Sequence, residues 1–220
     1  MMIRELRITE DGSHTIFLKD LAEPYHSIHG SIQESMHVFI NQGFGLTRHS
    51  PVHILEIGLG TGLNALLTLS ESEKRGIEVI YHAVEKYPLL PEEFKELNFE
   101  KFIPDIPAGS LLAIHEGPWQ QDFNLSSNFR LYKELTDIRS MKPGGKFDLV
   151  YFDAFAPDKQ PELWSEEVFT QVAGCMNPRA ILVTYAAKGS VRRTMKACGL
   201  QVEKVPGPPG KREMIRAARI

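Results

Sequence analysis

Strand-like and helix-like segments alternate along most of this 220-residue chain, and this order constrains its fold more than any other feature. Continuous or alternating apolar runs predict strands, and apolar residues spaced three or four apart predict the helices between them. Successive strands connected by helices form a parallel sheet with right-handed crossovers. The last two apolar runs, "QVEKV" and "EMIRAAR", are connected only by "PGPPGKR", which predicts an antiparallel hairpin at one edge.

The pattern as a whole predicts an α/β fold with seven strands. The strands are expected at "VHILEIG" (Val52–Gly58), "EVIYHAVE" (Glu78–Glu85), "FRLYKE" (Phe129–Glu134), "KFDLVYFD" (Lys146–Asp153), "AILVTYA" (Ala180–Ala186) and the two hairpin segments. The helices are expected at Leu63–Arg75, Pro91–Asn98, Ser165–Met176 and Ser190–Gly199, with a loop-rich stretch over residues 99–127. A mostly parallel, Rossmann-like sheet ending in an antiparallel hairpin is the layout of class I S-adenosylmethionine (SAM)-dependent methyltransferases. We expect residues 51–220 to form this domain and residues 1–50 to be an N-terminal extension over the strand tips and active site.

The composition is that of an ordinary globular protein, with 42% apolar and 24% charged residues. The sequence has no apolar run long enough for a membrane helix, and its N-terminus lacks the apolar core of a signal peptide. Cys175 and Cys198 form no metal-binding or redox spacing, so we expect a cytoplasmic protein. His26, His29 and His37 lack the further ligands that would complete a metal site, so no metal is expected.

Charge is distributed unevenly along the chain, although the formal net charge is only −3. Residues 179–220 contain ten Lys or Arg and two acids, a net charge of +8, which leaves −11 on the remaining residues. A basic end on an acidic body can attract a polyanion to one face. A basic surface that is simply solvated is the alternative, and both interpretations stay open.

A glycine-rich loop, "LEIGLGTGLN", follows the first strand of the predicted domain. Gly58, Gly60 and Gly62 permit close approach of the backbone to a ligand, and the following helix points its N–H groups at the same space. A dinucleotide-binding fingerprint would have its third glycine where Leu63 stands. The loop, with Glu56 two residues before the first glycine and Asn64 after the last, is instead similar to a SAM-binding loop. These five residues are therefore candidates for cofactor binding: Glu56, Gly58, Gly60, Gly62 and Asn64.

Two acids follow the next two parallel strands. Glu85 in "AVEKYP" ends the strand beside the glycine loop, where a carboxylate can accept both hydroxyls of a ribose, with Lys86 next to it. Asp137 in "LTDIRS" is a candidate acceptor for the amino group of adenine. A helix N-cap is an equally natural role for Asp137, and the sequence does not decide between the two.

Four stretches carry a family resemblance: "YHSIHGSIQESMHVFI" (Tyr25–Ile40), "LEIGLGTGLN" (Leu55–Asn64), "DAFAPDKQPELW" (Asp153–Trp164) and "KREMI" (Lys211–Ile215). Together they resemble the methyltransferase domain of the tRNA 5-methylaminomethyl-2-thiouridine biosynthesis proteins of the MnmC type. The glycine loop alone is common, whereas the first and third stretches are far more specific. "SVRRTMKACGL" is similar to the penultimate helix of the family, and Thr136 departs from it, because many relatives have Gly before the acid.

The resemblance implies methyl transfer from SAM to the exocyclic amine of 5-aminomethyl(-2-thio)uridine at the wobble position of tRNA. Many members of the family also contain a flavin-dependent oxidase domain. This sequence has no second glycine fingerprint, so we expect the stand-alone transferase, with a separate enzyme supplying the aminomethyl substrate. The expected partner is therefore tRNA in its anticodon region, with no membrane involved.

The stretch "DAFAPDKQPELW" supplies the candidate catalytic residues. We expect Asp153, at the tip of the fourth strand, to bind the substrate amine and orient its lone pair. Because an ordinary carboxylate is a weak base, orientation is favoured over full general-base catalysis. Phe155 is expected to stack on the flipped uracil ring and Pro157 to stiffen the loop. The structural alternatives are a turn-forming role for Asp153 and simple packing for Phe155.

The resemblance also places Tyr25 and Glu34 over the active site. Glu34 is expected to hold the amino group of the methionine moiety, with a solvated helix acid as the alternative. At the basic C-terminal end, four residues are candidate contacts to tRNA phosphates. They are Arg192, Arg193, Lys211 and Arg212.

Two other functions remain open at this point. A class I methyltransferase or aminopropyltransferase acting on a small amine would favour paired acids at the catalytic strand tip, and Asp158 is five residues beyond Asp153. A non-catalytic tRNA-binding module would be expected to lack the glycine loop or Asp153, and both are present.

Overall fold

Eleven strands lie in the part of the chain that the computed structural model describes, residues 3–141 and 144–220. They are β1 Arg4–Ile8, β2 His14–Leu18, β3 Glu23–Pro24, β4 Val52–Ile57, β5 Val79–Glu85, β6 Asp122–Asn124, β7 Phe129–Leu135, β8 Phe147–Phe152, β9 Met176–Thr184, β10 Leu200–Pro206 and β11 Glu213–Arg219.

The same residues contain six α-helices and several shorter helical turns. The α-helices are α1 Ser31–Ser35, α2 Leu63–Arg75, α3 Pro91–Phe94, α4 Ser110–Glu116, α5 Glu166–Cys175 and α6 Gly189–Ala197. A π-helical segment, Met36–Asn41, continues α1, and 3₁₀ turns lie at Phe44–Leu46, Phe99–Phe102, Ile138–Ser140 and Pro161–Trp164.

The larger sheet has eight strands in the order β10-β11-β9-β8-β4-β5-β7-β6. The five central strands are parallel, and β6, β10 and β11 pair in antiparallel fashion at the two edges. The carboxyl ends of β4, β5, β7, β8 and β9 therefore share one edge. Ile215 of β11 pairs with Thr184 at the end of β9, so the turn between β10 and β11 also reaches this edge.

Both faces of the sheet are covered, which explains why its central strands are almost continuously apolar. Alternate residues point to opposite faces. Ile54 of β4 and Leu149 of β8 pack in the core that contains α2, whereas Leu55 and Val150 pack in the core that contains α5 and α6. These two cores fix the relative positions of β4 and β8, whose tips form the centre of the site.

The chain before β4 forms a small antiparallel sheet, β1-β2-β3, followed by α1 and the π-helical segment. Phe39 and Phe44 are buried in the same core as α2, and the Phe39 ring lies 5.1 Å from that of Tyr151. The His37 side chain is 2.8 Å from the carbonyl oxygen of Pro206, beside the C-terminal hairpin. This N-terminal segment is thus held against the carboxyl edge of the larger sheet.

The predicted class I fold is confirmed, and the differences concern short elements. The sheet has an eighth strand, β6, and the stretch predicted as loop contains α4, whose apolar side is formed by Leu111 and Ile114. The helix predicted over Pro91–Asn98 ends at Phe94. Asn98, the last residue of the predicted helix, lies outside α3. Its side-chain oxygen instead accepts a hydrogen bond from the backbone N–H of His14, next to the β1–β2 turn, at 2.7 Å.

Truncation of a side chain in the α2 core should destabilise the whole domain. Leu66 is 0% exposed, so Leu66→Ala leaves a cavity and should lower the free energy of unfolding by about 2–5 kcal/mol. Urea denaturation monitored by circular dichroism measures this change. The exposed Glu78→Ala control should stay within about 0.5 kcal/mol of the unmodified protein. Equal stability of both variants would contradict this description of the core.

Candidate active site

A cavity of about 240 Å³ lies at the carboxyl edge of the parallel strands. Open α/β sheets bind their ligands at this edge. The loops after β4, β5 and β8 line the cavity on one side, and the N-terminal segment lines it on the other. Most residues singled out from the sequence contribute to its wall: Tyr25, Glu34, Gly58, Gly60, Asn64, Glu85, Lys86, Asp137, Asp153, Phe155 and Lys211.

The loop between β4 and α2 requires glycine for two reasons. Its backbone φ angles are +90° at Gly58, +50° at Gly60 and +75° at Gly62. A Cβ atom at Gly58 would lie 2.7 Å from the carbonyl oxygen of Asp153, and one at Gly60 would lie 3.0 Å from the Tyr25 ring. A side chain at Gly58 is excluded by both conformation and space, whereas one at Gly60 is strained by the positive φ angle and would have to displace the Tyr25 ring. Gly62 is the N-cap of α2 and does not line the cavity.

Glu85 connects the tip of β5 to the glycine loop. One carboxylate oxygen accepts the backbone N–H of Gly60 at 2.9 Å, and the other accepts that of Tyr87 at 2.7 Å. Each carboxylate oxygen can accept a second hydrogen bond. Glu85 therefore retains acceptor capacity on the cavity side, which is what the predicted ribose contact requires.

The side chain of Asp153 is held from α2. The Asn64 amide donates to Asp153 Oδ2 at 2.8 Å and to Glu56 Oε1 at 2.9 Å. Asp153 therefore faces the cavity and the start of α2, and it does not cap a helix. Glu56 is 0% exposed and does not line the cavity, so its contact with the cofactor stays a prediction that this position does not support. Its carboxyl group lies beneath the cavity wall and fixes Asn64 instead.

The acids around Asn64 have unusual proton affinities. Burial raises the pKa of Asp153 to about 7, and the neighbouring Glu34 carboxylate acts in the same direction. Burial, followed by the charge of Asp153, raises the pKa of Glu56 well above its ordinary value. The sequence interpretation assumed an ordinary carboxylate at position 153, and the raised pKa departs from that assumption. A carboxylate with a pKa near 7 is a useful proton acceptor at neutral pH.

Glu34 and Lys211 meet at the cavity wall. Glu34 Oε2 accepts the backbone N–H of Ser27 at 2.7 Å, and Lys211 Nζ donates to Glu34 Oε1 at 2.8 Å. Lys211 Nζ also lies 4.2 Å from the centroid of the Tyr185 ring. Glu34 is therefore not a solvated helix acid. Lys211 also borders the outer groove and its side chain is 37% exposed, so its contact with tRNA stays a prediction.

The loop after β8 carries an aromatic pair. The rings of Phe155 and Tyr25 lie 4.9 Å apart in an edge-to-face arrangement. Burial raises the pKa of Tyr25 to about 12, so its hydroxyl stays protonated. Pro157 lies in a turn in which Ala156 O accepts the Lys159 N–H at 2.8 Å. Pro157 lines a second, shallow groove outside the cavity. This position is compatible with the predicted role of stiffening the loop.

Asp137 caps the 3₁₀ turn that follows β7. Its Oδ1 accepts the backbone N–H of Arg139 at 3.0 Å, and its Oδ2 lies 3.0 Å from Lys86 Nζ. The hydrogen bond from the Arg139 side chain, together with these contacts, lowers the pKa of Asp137 below its ordinary range. The N-cap interpretation is thus realised, and Asp137 and Lys86 bind each other at the cavity wall.

The other predicted RNA contacts lie outside the cavity but close to its edge. Arg192 and Arg193 lie on α6, which begins after the loop that contains Tyr185. Arg193 and Arg212 are exposed and form no ion pair with a described residue. Arg212 borders the same shallow groove as Pro157 and Lys188. Arg212 and Lys188 thus form a basic rim at the groove, Arg192 and Arg193 follow on α6, and the contact of the predicted residues with RNA stays a prediction.

Sequence reasoning missed several residues of the site. Thr61 in the glycine loop is held by two buried histidines: its hydroxyl lies 2.6 Å from His26 Nε2, and its carbonyl oxygen lies 3.0 Å from His115 Nε2. Burial lowers the pKa of each imidazole to about 4, so both are neutral at physiological pH. Glu23 and Tyr185 also line the cavity. These residues come together from chain segments that are far apart in the sequence, so no local motif predicts that they share one site.

Two kinds of feature are absent from residues 3–141 and 144–220. These residues contain no group of three or more His, Cys, Asp or Glu that could hold a metal ion. No helix among them is long and apolar enough to cross a membrane.

Residues 115–220 match a family described as S-adenosyl-L-methionine-dependent methyltransferase. The chain is 30% identical to the tRNA 5-methylaminomethyl-2-thiouridine biosynthesis bifunctional protein MnmC of Pseudomonas savastanoi pv. phaseolicola, and 32% identical to that of Pseudomonas entomophila. The alignments cover 99% and 97% of this chain, respectively, and 35% of each relative. The chain therefore spans about a third of the length of the curated relatives it matches.

Two solved structures are similar over the whole chain. MnmC2 from Aquifex aeolicus has a TM-score of 0.77 at 26% identity, with 100% of this chain and 71% of that chain covered. Spermidine synthase from Thermotoga maritima has a TM-score of 0.62 at 12% identity, with 100% and 69% covered. At 12% identity the second likeness concerns the fold alone.

The fold, the site and these matches define a protein of the class I SAM-dependent methyltransferase type, and the predicted cofactor class is confirmed. Within that class the chain is similar to the MnmC proteins over nearly its whole length, which confirms the resemblance seen in the sequence.

A methyl group added to the glycine loop should impair cofactor binding. Gly58→Ala places a Cβ atom against the Asp153 carbonyl oxygen and should weaken SAM binding by about 10-fold or more, as measured by calorimetry. Gly109→Ala is a matched control, because Gly109 has a φ of +84° but a Cβ atom added there would meet nothing within 4 Å. Equal SAM affinity in the two variants would contradict the requirement for close backbone approach at Gly58.

Proposed function

We propose that this protein transfers a methyl group from SAM to the exocyclic amine of 5-aminomethyl(-2-thio)uridine at the wobble position of tRNA. The observation on which this rests is the position of Asp153, whose carboxylate lies in the same cavity as the glycine loop and has a pKa near 7. The similarity to MnmC proteins supports the choice of substrate. The product would be 5-methylaminomethyl(-2-thio)uridine.

The residues of the cavity fit SAM. The glycine loop leaves no room for side chains, Glu85 retains acceptor capacity for a ribose, and Glu34 and Asp153 provide negative charge for a cationic ligand. We assign the cofactor to these residues together with Tyr25, Asn64, Lys86 and Asp137. When bound, SAM supplies an electrophilic methyl group on a sulfonium, which leaves as a neutral thioether.

Asp153 has to handle a proton in this reaction. An alkyl amine resembles lysine, with a pKa of about 10, and is mostly ammonium at neutral pH, so it has no free lone pair. We assign Asp153 as the residue that binds the ammonium and accepts one proton from it. Asn64 fixes the orientation of the carboxylate, and Phe155 lies beside it as a face for the uracil ring.

The N-terminal segment and the basic rim complete the proposal. We assign residues 1–50 as an extension that covers the active site of a domain formed by residues 51–220. Arg192, Arg193 and Arg212 would contact phosphates of the anticodon region. Such a protein would act in the cytoplasm on tRNA whose aminomethyl group is supplied by another enzyme.

The two rival functions are less well supported. A small-amine methyltransferase or aminopropyltransferase shares the fold of spermidine synthase, but the likeness at 12% identity does not extend to substrate. A non-catalytic tRNA-binding module would not require the glycine loop or the shifted pKa of Asp153. Labelled SAM tested against tRNA from cells that lack this protein, and against a panel of small amines, separates the three. Nucleoside mass spectrometry of the wobble uridine identifies the product.

Removal of the charge at position 153 should abolish most turnover. Asp153→Asn keeps an acceptor for Asn64 but no longer accepts a proton, so the rate of methyl transfer should fall about 10²- to 10⁴-fold. SAM affinity should change far less. The exposed Asp158→Asn variant is the control and should retain its rate. A rate near normal for Asp153→Asn would rule out the assigned role.

The reaction should also depend on pH in a specific direction. Asp153 accepts a proton only when it is ionised, and its raised pKa of about 7 means that it becomes protonated as the pH falls through neutrality. The kcat/KM for tRNA at low cofactor concentration should therefore decrease below about pH 7. Asp153→Asn should lack this inflection. A wild-type profile that stays level down to pH 5 would contradict the prediction.

A further inference from the structure

One acid in the cavity wall, Glu23, takes no part in the steps assigned to Asp153. Glu23 forms the short strand β3 in the N-terminal segment. Its Oε1 accepts the backbone N–H of Ala156 at 3.2 Å, and its Oε2 is buried without a hydrogen-bond partner among the described residues. A buried carboxylate oxygen that lacks a donor is costly, and native proteins rarely leave one without a partner. A donor from a bound ligand would remove this cost.

The surroundings of Glu23 indicate what kind of ligand would supply this donor. Ala156 lies three residues after Asp153, so Glu23 is fixed to the loop that carries both Asp153 and Phe155. The hydroxyl of Tyr185 donates to the Ala154 carbonyl at 2.9 Å in the same loop. Burial, followed by the charges of Asp153, Glu23 and Glu34, raises the pKa of this hydroxyl. Three carboxylates therefore act on one tyrosine at this end of the cavity.

The positive charges nearby leave these acids incompletely neutralised. The charge of Lys211 acts on both Glu23 and Asp153, but its ammonium group donates its hydrogen bond to Glu34. Lys159 acts on Glu23 through its charge alone and is exposed to solvent. Burial raises the pKa of Glu23, as expected of a carboxylate with too few donors. This end of the cavity is thus suited to a ligand that brings both positive charge and N–H donors.

We propose that Glu23 is a substrate-binding residue whose free oxygen accepts a hydrogen bond from the primary ammonium group of the substrate, in the cavity that Asp153 also lines. This inference rests on the proposed function. A primary ammonium has three N–H donors. Asp153 accepts one and Glu23 accepts another, so the site recognises a cationic aminomethyl group and rejects a uridine that lacks it.

The same arrangement orients the amine for attack. When Asp153 takes one proton, R–NH₃⁺ becomes R–NH₂, and the remaining bond to Glu23 fixes the direction of the lone pair. The lone pair forms the new carbon–nitrogen bond, and the electron pair of the carbon–sulfur bond goes to sulfur. The product leaves as R–NH₂⁺–CH₃, with the charge of the incoming ammonium, and Asp153 returns its proton to solvent.

The variant Glu23→Gln tests this role without loss of the loop contact. The glutamine carbonyl oxygen can still accept the Ala156 N–H, but the negative charge is gone. Glu162→Gln is the matched control, because Glu162 also lines the cavity and is exposed. Binding is measured in the presence of S-adenosylhomocysteine, with two anticodon stem-loop RNAs that differ only in an aminomethyl group on the wobble uridine.

Wild-type protein and Glu162→Gln should prefer the aminomethyl RNA, and Glu23→Gln should lose about 10-fold or more of this preference, the size expected for a hydrogen bond to a charged group. The affinity for S-adenosylhomocysteine alone should not change. A preference in Glu23→Gln equal to that of the control would overturn the inference. So would an equal loss of affinity for both RNAs and for S-adenosylhomocysteine, because Glu23 would then only position the loop.

The same measurements distinguish a failure of the proposed function from a failure of the inference about Glu23. If wild-type protein neither prefers nor methylates the aminomethyl RNA, the substrate itself is wrong, and the role of Glu23 is overturned with it. If wild-type protein methylates this RNA while Glu23→Gln keeps its preference, the inference about Glu23 alone is wrong.

Discussion

The close approach of two backbone segments is the constraint on which the site depends. Gly58, after β4, has no room for a side chain because the carbonyl oxygen of Asp153, after β8, lies against it. β4 and β8 are neighbouring parallel strands, and the N–H of Asp153 still donates to Ile57 O at 3.0 Å, so their register is fixed up to the loops. The loop that approaches the cofactor and the acid that faces the amine are therefore positioned by one piece of sheet.

Electrostatics follow from this geometry. Three acids interact here: Glu56 below the cavity, Asp153 in its wall and Glu34 from the N-terminal segment. Burial and the repulsion between neighbouring carboxylates favour the binding of protons or cations to them. Asn64 reduces the free-energy cost of burying these carboxyl groups, because its amide donates hydrogen bonds to both Glu56 and Asp153. We expect a cavity of this kind to bind cationic ligands more tightly than neutral ones. This property suits both a sulfonium cofactor and an ammonium substrate.

The sequence predicts the parts of the site that depend on neighbouring residues and strand order. The roles of Gly58 and Asp153 as cavity residues could be predicted because parallel strands bring their carboxyl ends to one edge. The position of Lys211 could not, because it depends on how the β10–β11 turn returns to that edge and meets Glu34. Glu23 and His26 were missed for the same reason: each makes its contact with a residue at least 35 positions away in the sequence.

The proton affinity of Asp153 tests the central claim most directly. A protein labelled with ¹³C at aspartate carboxyl carbons allows this group to be titrated by NMR, with Asp153→Asn used to assign its signal. The pKa should be about 7 in the free protein and should fall when SAM binds, because a sulfonium favours the ionised carboxylate. S-adenosylhomocysteine, which lacks this charge, should produce a smaller shift. An ordinary pKa of about 3.9 in the free protein, or the same shift with both ligands, would contradict the assignment of Asp153 to the reacting centre.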